Sequence, residues 1–419
     1  MAELGLAALV SVLILLRQGI PLILFAVAGY ATLVWGDGSL SYLIEDIWYA
    51  TNTDLLLAIP MFLLAGNIMT RGSIARRLID VVRFGTQWMR GGMAVATILS
   101  CALFAAISGS SPVTLLAVGT VMMPALIKAG YPRSFALGAI TSAGTLGIII
   151  PPSIPLILYG IVNEKSISDL FIAGLLPGLL LAATLAGYAY FRNRNMPAIV
   201  FDRGAFLVSL RRGGWSMMLP IILLGGIYSG YFSPTEAAAV SVLYAMLVEI
   251  FLHRELKPKE FFDLAVSTAL MLGTLMPIVA VALALQKILT VNDVQQTMTT
   301  WVTGLVDNKF AFLLVVNLLL LVVGCLVDVI SAVLVISPLL LPVAMAYGID
   351  PIHFGIIMVI NLEIGFLTPP IGLNLIVAMS AFKAKFNEVI KAVLPFIGLM
   401  LVVLLIVTYV PAISLVLLK

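Results

Sequence analysis

The chain has 419 residues, of which 62% are hydrophobic and only 10% carry a formal charge. This composition excludes a soluble globular protein and predicts a polytopic α-helical membrane protein, because a membrane β-barrel would show short alternating segments instead. The net charge of +3 says little about partners, since membrane proteins distribute their charged residues unequally between the two sides of the membrane. No nucleic-acid partner is expected.

Apolar runs at membrane-spanning length recur along the whole chain. Two further runs, 91–128 and 308–348, are too long for one helix and have polar or Gly-rich breaks near their centres. We interpret both as re-entrant helical hairpins, which return to the side from which they enter. The Arg-containing segments 71–90 and 191–213 are interpreted as interfacial segments or as simple topology signals. The single spans are predicted at about 2–16, 19–36, 54–70, 132–163, 167–190, 214–231, 233–252, 261–289, 351–380 and 390–418.

The distribution of basic residues supports the hairpin interpretation. With both hairpins re-entrant, 19 of the 23 Lys and Arg residues fall on one side, and the exceptions are Lys165, Lys287, Lys309 and Lys419. The side of these four also holds the acidic residues Asp37, Glu45, Asp46, Asp54, Glu164 and Asp169. If either hairpin crossed the membrane, this asymmetry would collapse. The resulting topology places both chain termini on the outer side.

The predicted order of elements repeats. Helix, helix, hairpin, broken helix and helix follow one another over about 19–190, and the same order recurs over 233–418 with every direction reversed. Such an inverted-topology repeat is typical of secondary transporters that alternate access around a midplane site.

Each broken helix contains two adjacent prolines, Pro151-Pro152 and Pro369-Pro370, inside an apolar segment. A proline removes a backbone donor and clashes with the preceding turn, so a continuous helix is not possible there. Lipid offers no replacement hydrogen bonds, so each break must line a cavity or lie buried in protein. Interrupted segments at corresponding positions of two halves indicate a transporter's binding site.

The first hairpin turns at Ser108-Gly-Ser-Ser-Pro112. Because small and polar residues are followed here by a proline, backbone carbonyls and hydroxyls are left without helical partners. These hard oxygen ligands suit a small cation such as Na⁺. The helix N-terminus behind the turn suits a carboxylate. A Ser/Gly helix-packing patch is the structural alternative.

The second half carries two acidic residues at membrane depth. Asp328 ends the hairpin break Gly324-Cys-Leu-Val-Asp328. It could lie near a second cation site, hold the hairpin tip, take a proton, or simply cap the returning helix. Glu363 lies two residues before Gly365 in the second broken helix. We interpret it as a structural partner for polar backbone rather than a ligand.

Several functional classes lack the residues that they need. Cys101 and Cys325 lie in apolar runs, and His253 and His353 lie near predicted loops, so neither a disulfide framework nor a transition-metal site is expected. No Walker motif, nucleotide fingerprint or catalytic triad occurs in the sequence. The sequence therefore predicts neither an ATP-driven pump nor an enzyme.

The motifs in their order identify a family. The chain resembles, over nearly its whole length, the large membrane subunit of a tripartite ATP-independent periplasmic (TRAP) transporter, the DctM family. The residues that carry the resemblance are Leu57-Ala-Ile-Pro-Met-Phe-Leu-Leu-Ala-Gly66, Ser108-Gly-Ser-Ser-Pro112, Gly147-Ile-Ile-Ile-Pro-Pro-Ser153, Pro234-Thr-Glu-Ala-Ala-Ala-Val240, Asp328 with Pro338 and Pro342, and Gly365-Phe-Leu-Thr-Pro-Pro-Ile-Gly-Leu-Asn374.

The resemblance implies an elevator-type ion-transporter fold in a bacterial inner membrane, with both termini in the periplasm by the topology above. It implies a scaffold and a transport domain that moves against it. The scaffold helices are expected at 1–90 (with an interfacial arm), 164–307 and 381–419, and the transport domain at 91–163 (hairpin 91–128, broken helix 132–163) and 308–380 (hairpin 308–348, broken helix 351–380). It implies Na⁺-coupled import of an organic acid anion, such as a dicarboxylate, sialic acid or another sugar or keto acid. It also implies two partners, a small four-helix membrane subunit of the DctQ type and a periplasmic substrate-binding protein of the DctP type. Because four additional N-terminal helices are lacking, a separate large subunit is expected rather than a fused one.

The resemblance further implies a set of ligands, transferred position by position. The first Na⁺ site would join Ser108, Ser110, Gly144, Gly147 and Pro151. The second Na⁺ site would join Gly324 and Cys325 to Phe366 and Thr368. The substrate would lie between the hairpin tips and contact Ser110, Ser111, Ser153 and Asp328.

A stand-alone Na⁺- or H⁺-coupled di- or tricarboxylate transporter of the divalent-anion type is the nearest alternative, since it shares the hairpins and the inverted repeat. It would work without a binding protein. A channel is a different class, but the two Pro-Pro breaks argue against a continuous pore.

Overall fold

The computed structural model describes residues 2–36, 39–198 and 200–418. These residues form helices joined by short loops, and ten of the helices are long and apolar enough to cross a membrane. The predicted class, an all-α polytopic membrane protein, is confirmed. Asp37 and Lys419, which entered the charge distribution, lie outside the described residues.

The first half of the described chain contains helices α1 to α11. Their order follows the prediction, with a hairpin (α6 and α7) before a broken helix (α8 to α10). The bounds are α1 Ala2–Leu15, α2 Ile20–Trp35, α3 Leu40–Thr51, α4 Ala58–Arg71, α5 Ile74–Thr86, α6 Gly92–Ser108, α7 Ser111–Lys128, α8 Arg133–Gly144, α9 Leu146–Ile149, α10 Ile154–Val162 and α11 Ile167–Arg192.

The second half follows the same order after a linking helix, α12. A hairpin (α16 and α17) again precedes a broken helix (α18 and α19). The bounds are α12 Arg203–Tyr228, α13 Pro234–Leu247 (continued by the π-helix Val248–Leu252), α14 Pro258–Val291, α15 Val294–Leu305, α16 Lys309–Leu326, α17 Val329–Ala346, α18 Pro351–Gly365, α19 Leu373–Phe382, α20 Phe386–Tyr409 and α21 Ala412–Leu415.

Three helices depart from the predicted spans. The sequence predicts no span at α3 or α15, because polar and acidic residues interrupt their apolar faces. The segment 191–213, interpreted as interfacial or as a simple topology signal, contains the start of α12, which begins at Arg203. The Asp202 side chain accepts a hydrogen bond from the Ala205 N–H (3.0 Å) and thereby starts the helix eleven residues before the apolar run that was predicted at 214–231.

The arms of both hairpins are close to membrane thickness. α6 has 17 residues and α7, α16 and α17 have 18 each. At a rise of about 1.5 Å per residue, the arms extend about 26–27 Å, close to the hydrocarbon thickness of a bilayer. This length suits a re-entrant arm and a full span equally, so the re-entrant topology stays a prediction.

The helices pack as an internal repeat requires. α2 packs along α14, and their counterparts α13 and α4 pack along each other. Likewise α10 of the first broken helix packs on α17 of the second hairpin, while α19 of the second broken helix packs on α7 of the first hairpin. The hairpin of each half thus packs against the broken helix of the other half.

One pair of counterpart helices, α4 and α14, runs in opposite directions. Asn67 near the end of α4 donates from Nδ2 to Thr268 Oγ1 near the start of α14 (2.8 Å). Leu63, one turn earlier in α4, lines the same cavity as Met271 and Leu275, which lie further along α14, so these two helices are antiparallel. α4 and α13 are parallel, because Thr235 bonds the Asp54 carbonyl at their starts and Glu249 accepts from the Ser73 N–H at their ends. The second helices of the two halves, α4 and α14, therefore have the relation that an inverted repeat predicts.

Candidate binding site at the helix breaks

The first hairpin tip is bonded to the first helix break. Gly109 between α6 and α7 has φ +60°, a conformation that favours glycine, and its carbonyl accepts a hydrogen bond from the Ile154 N–H (3.3 Å). A Cβ on Gly109 would lie 3.1 Å from the Pro152 carbonyl oxygen. The hairpin can approach the Pro151-Pro152 break this closely only because residue 109 is a glycine.

The predicted first Na⁺ site brings several oxygens together. The Ser108 hydroxyl lies 2.6 Å from Thr114 Oγ1 and 3.4 Å from the Ser110 carbonyl oxygen. A Cβ on Gly147 would lie 2.5 Å from both the Ser110 carbonyl oxygen and Thr114 Oγ1. Ser108, Ser110 and Gly147 therefore meet, and their roles as Na⁺ ligands stay predictions. Thr114 was not predicted to lie in this group of residues, although its position in the sequence, one helical turn after the hairpin tip, could have indicated it.

The two other residues predicted for this site face different neighbours. Gly144 lies against Leu115, where a Cβ would come within 2.8 Å of the Leu115 Cβ. The Pro151 ring lies near Gly174 of α11, 3.4 Å from the position of a Cβ there. Both residues belong to the same broken helix as Gly147, and their ligand roles stay predictions.

At the predicted second Na⁺ site, the backbone of the second hairpin packs directly against the backbone of the second broken helix. A Cβ on Gly365 would lie 2.5 Å from the Gly324 Cα and carbonyl carbon. The Cys325 carbonyl accepts from the Ile371 N–H (3.3 Å), and Thr368 Oγ1 donates to the Ile364 carbonyl (2.8 Å). Residues 324, 325 and 368 thus surround the second break, next to Phe366. The close contact between Gly324 and Gly365 was not predicted from the sequence, although the motif that begins at Gly365 was noted.

The two breaks are built alike. In each half a carbonyl at the end of the first hairpin arm accepts an N–H that follows the Pro-Pro pair, at Gly109 with Ile154 and at Cys325 with Ile371. Both Pro151-Pro152 and Pro369-Pro370 are joined by cis peptide bonds.

A cavity of about 300 Å³ lies between the two hairpin tips. It contains three of the four predicted substrate contacts, Ser110, Ser111 and Asp328. Its lining is mostly apolar, and four helices begin at its wall: α7, α10, α17 and α19. The full lining is Leu63, Gly109, Ser110, Ser111, Pro112, Val113, Ile148, Ile154, Pro155, Met271, Leu275, Asp328, Val329, Ile330, Phe366 and Leu373.

Two of the four helix starts are capped by side chains. Asp328 caps α17, accepting from the Ser331 N–H (2.9 Å) and hydroxyl (2.6 Å), so the capping interpretation of this residue is confirmed. Ser153 caps α10 and donates to the Ile148 carbonyl (2.6 Å). Ser153 is fully buried and does not line the cavity, so its predicted substrate contact would require a rearrangement.

α7 and α19 begin without a side-chain cap. Their first-turn N–H groups, around Ser111 and Leu373, carry the positive end of the helix dipole to the cavity. Such N-termini are favourable sites for an anion.

A buried polar chain leads from the cavity into the protein. Asn374 at the start of α19 donates from Nδ2 to the Ser111 hydroxyl (2.5 Å) and to Glu363 Oε1 (3.1 Å). All three residues are fully buried. Glu363 was predicted to be a partner of polar backbone, whereas its hydrogen-bond partner here is the Asn374 side chain.

The helix breaks, the paired hairpins and the cavity between them define a membrane transporter with discontinuous helices. The fold is similar to that of the YdaH transporter of Alcanivorax borkumensis, with a TM-score of 0.68 and 14% sequence identity, covering 90% of this chain and 89% of that one. At this identity the likeness is one of fold alone.

The chain belongs to the family "Tripartite ATP-independent periplasmic transporter, DctM component", whose model matches residues 6–413. It is 45% identical over 363 residues to the C4-dicarboxylate TRAP transporter large permease protein of Pseudomonas aeruginosa, covering 86% of this chain and 85% of that protein. It is 40% identical over 401 residues to the isethionate TRAP transporter permease protein of Oleidesulfovibrio alaskensis, covering 94% of this chain and 63% of that protein. The predicted family is confirmed.

Proposed function

We propose that this chain is the membrane subunit through which a small organic acid anion is imported, coupled to Na⁺, by an elevator movement. The observation that carries the proposal is the cavity on which four helix N-termini converge, two of them uncapped. An anion is the ligand that this arrangement favours. The two relatives are named for C4-dicarboxylate and for isethionate, both small anions, and sialic acid and other sugar or keto acids share this chemistry.

Na⁺ coupling is supported by the oxygen groups beside each break. Hydroxyl and carbonyl oxygens of Ser108, Ser110 and Thr114 meet at the first break, and those of Cys325 and Thr368 lie at the second. Unwound backbone carbonyls at discontinuous helices are typical Na⁺ ligands in secondary transporters. Uptake into proteoliposomes should require Na⁺ and should rise with an inside-negative potential. Full activity with K⁺ alone would contradict the proposal.

The elevator movement is supported by the contact between the proposed transport domain and the scaffold. The scaffold reaches the cavity through Leu63, Met271 and Leu275, which are all apolar and make no directional bond there. A Cβ on Gly66 of α4 would lie 3.7 Å from Val113 Cγ1, close to the first hairpin tip. Apolar contacts of this kind can slide without breaking hydrogen bonds. Elsewhere the movement would break the bonds from Gln286 to the Val162 carbonyl (2.5 Å) and from Asn317 to Thr408 (3.2 Å), which also join the two parts.

Cross-linking tests this movement. In a background with both native cysteines replaced by serine, the pair Gly66→Cys and Val113→Cys should form a disulfide that blocks uptake, and reduction should restore it. The single variant Val113→Cys is the matched control and should be insensitive to oxidant. Undiminished uptake by a fully cross-linked protein would refute the sliding movement.

Two partners complete the proposal, a small membrane subunit of the DctQ type and a periplasmic binding protein of the DctP type, both at a bacterial inner membrane with the termini of this chain in the periplasm. Uptake should fall to background when the binding protein is omitted from reconstituted vesicles. Uptake that persists without it would favour the stand-alone carboxylate transporter.

A further inference from the structure

A second cavity, of about 320 Å³, lies where α8 begins, α11 ends and the first turns of α20 pass. Arg192, the last residue of α11, and Lys391 of α20 both line it and are exposed. Neither side chain takes part in an ion pair of the described residues. No described residue of the lining is acidic, so two uncompensated cations face one cavity and favour an anion there.

The start of α8 adds to this positive potential. α8 has 12 residues and begins without a side-chain cap, and its first-turn residues Ser134 and Phe135 lie at the cavity wall. Their N–H groups carry the positive end of the helix dipole to the cavity. The acid beside Lys391 in the sequence, Glu388, is already engaged outside the cavity, because its Oε1 accepts from Arg133 Nε (2.9 Å).

The same cavity also contains hydrogen-bond acceptors. Asn193 is only 5% exposed and donates from Nδ2 to the Ala189 carbonyl (2.8 Å), while its Oδ1 accepts no bond from the described residues. Pro395 lines the cavity one turn after Lys391 and has no N–H, so the Lys391 carbonyl lacks its usual helical donor. An anion without a donor of its own would leave both acceptors unsatisfied.

Aromatic rings form the apolar wall of the cavity. Tyr188 and Phe396 meet edge to face with their centroids 5.0 Å apart, and the Phe135 ring lies 6.1 Å from that of Phe396. Aromatic faces attract ammonium groups. Cations for a phosphate, acceptors for N–H groups and aromatic rings therefore occur together in one cavity.

We propose that this cavity binds a phosphate diester linked to a primary ammonium group, as in the headgroup of an ethanolamine phospholipid. Arg192 and Lys391 bind the phosphate, and Asn193 Oδ1 accepts from the ammonium group. The cavity lies at the ends of membrane helices on the predicted cytoplasmic side, where basic pockets between helices meet lipid headgroups of the inner leaflet. Water-soluble glycerophosphoethanolamine presents the same group and is the other source.

A single cysteine at the wall of the cavity reports on occupancy. In the full-length chain with Cys101 and Cys325 replaced by serine, Ser134→Cys places a thiol there, and its reaction with a maleimide is timed in nanodiscs. Dioleoyl phosphatidylethanolamine should slow this reaction by about tenfold relative to pure phosphatidylcholine, which has no N–H donor, because a charged hydrogen bond changes an affinity by about that factor.

Two sets of substitutions identify the groups responsible. Arg192→Gln with Lys391→Gln should abolish the protection, whereas Arg211→Gln with Lys259→Gln, a matched change at two exposed residues outside the cavity, should preserve it. If the first pair lowers the protein yield, each of its single substitutions should still weaken the protection. Protection that survives the loss of both cations would overturn the proposal, and so would equal protection by phosphatidylcholine or phosphatidylglycerol.

The source of the headgroup is decided in phosphatidylcholine nanodiscs. Protection by added glycerophosphoethanolamine would show that the soluble compound is a ligand, whereas protection by the ethanolamine phospholipid alone would identify the lipid. Protection by neither compound would overturn the proposal.

Discussion

Replacing Gly365 by alanine should disable the second break more than it destabilises the protein. The new Cβ would lie 2.5 Å from the Gly324 Cα and carbonyl carbon, whereas ordinary contact begins at 3.4 Å. The two backbones must therefore separate by about 0.9 Å (3.4 − 2.5), since neither obstructing atom belongs to a flexible side chain. Overpacking of this size costs about 1–3 kcal/mol of folding free energy. A shift of about 1 Å in positioned groups can cost about a hundredfold in rate.

The assay is Na⁺-dependent uptake in proteoliposomes together with thermal unfolding in detergent. Gly365→Ala should need at least about tenfold more Na⁺ for half-maximal uptake, because the Cys325 carbonyl and Thr368 separate with the two backbones. Gly187→Ala is the matched control, because a Cβ there meets nothing within 4 Å. It should leave uptake unchanged and stabilise α11 by up to about 1 kcal/mol. Wild-type Na⁺ dependence in Gly365→Ala would refute the assignment of the Gly324–Gly365 contact to an ion site.

Four further substitutions, in three predictions, test other parts of the account. Ser108→Ala or Thr368→Ala should raise the Na⁺ concentration for half-maximal uptake by about tenfold with little loss of protein yield; equal losses of yield and uptake would favour a packing role. Glu249→Gln should lower the unfolding free energy by about 1.5–3 kcal/mol in a thermal-shift assay, because the buried carboxylate accepts charge-assisted bonds from the Ser73 and Ile74 N–H groups, both 2.6 Å. Asp328→Asn should keep the α17 cap and lower the KM for the anion, since a negative charge leaves the cavity; a higher KM would indicate instead that Asp328 holds a cation.

The local features of the fold could be predicted from the sequence. Adjacent prolines at 151–152 and 369–370 cannot continue a helix, and lipid cannot satisfy the freed backbone groups, so both breaks and their neighbouring hairpin turns were foreseeable. The start of α12 was harder to predict, because the cap at Asp202 begins the helix within a basic segment whose hydropathy is too low to indicate a membrane span.

The tertiary contacts of the site could not be predicted in the same way. The bond between Ser111 and Asn374 joins residues 263 positions apart, and no local pattern specifies that pairing. Likewise, Ser153 belongs to a motif next to the cavity, but its hydroxyl is used in capping α10. Which polar residue faces the cavity and which one caps a helix depends on how the two halves pack.

The central claim, Na⁺-coupled import of an anion, is tested most directly by measuring charge movement. Each elementary charge that crosses the membrane gains about 2.3 kcal/mol per 100 mV, so two Na⁺ with one singly charged anion such as isethionate would carry net positive charge inward, whereas two Na⁺ with a dicarboxylate would carry none. Complexes with both partner subunits, adsorbed on a solid-supported membrane, should give an inward positive current on addition of a singly charged substrate in Na⁺ buffer. The current should vanish in K⁺ buffer. An equal current in both buffers would contradict the account.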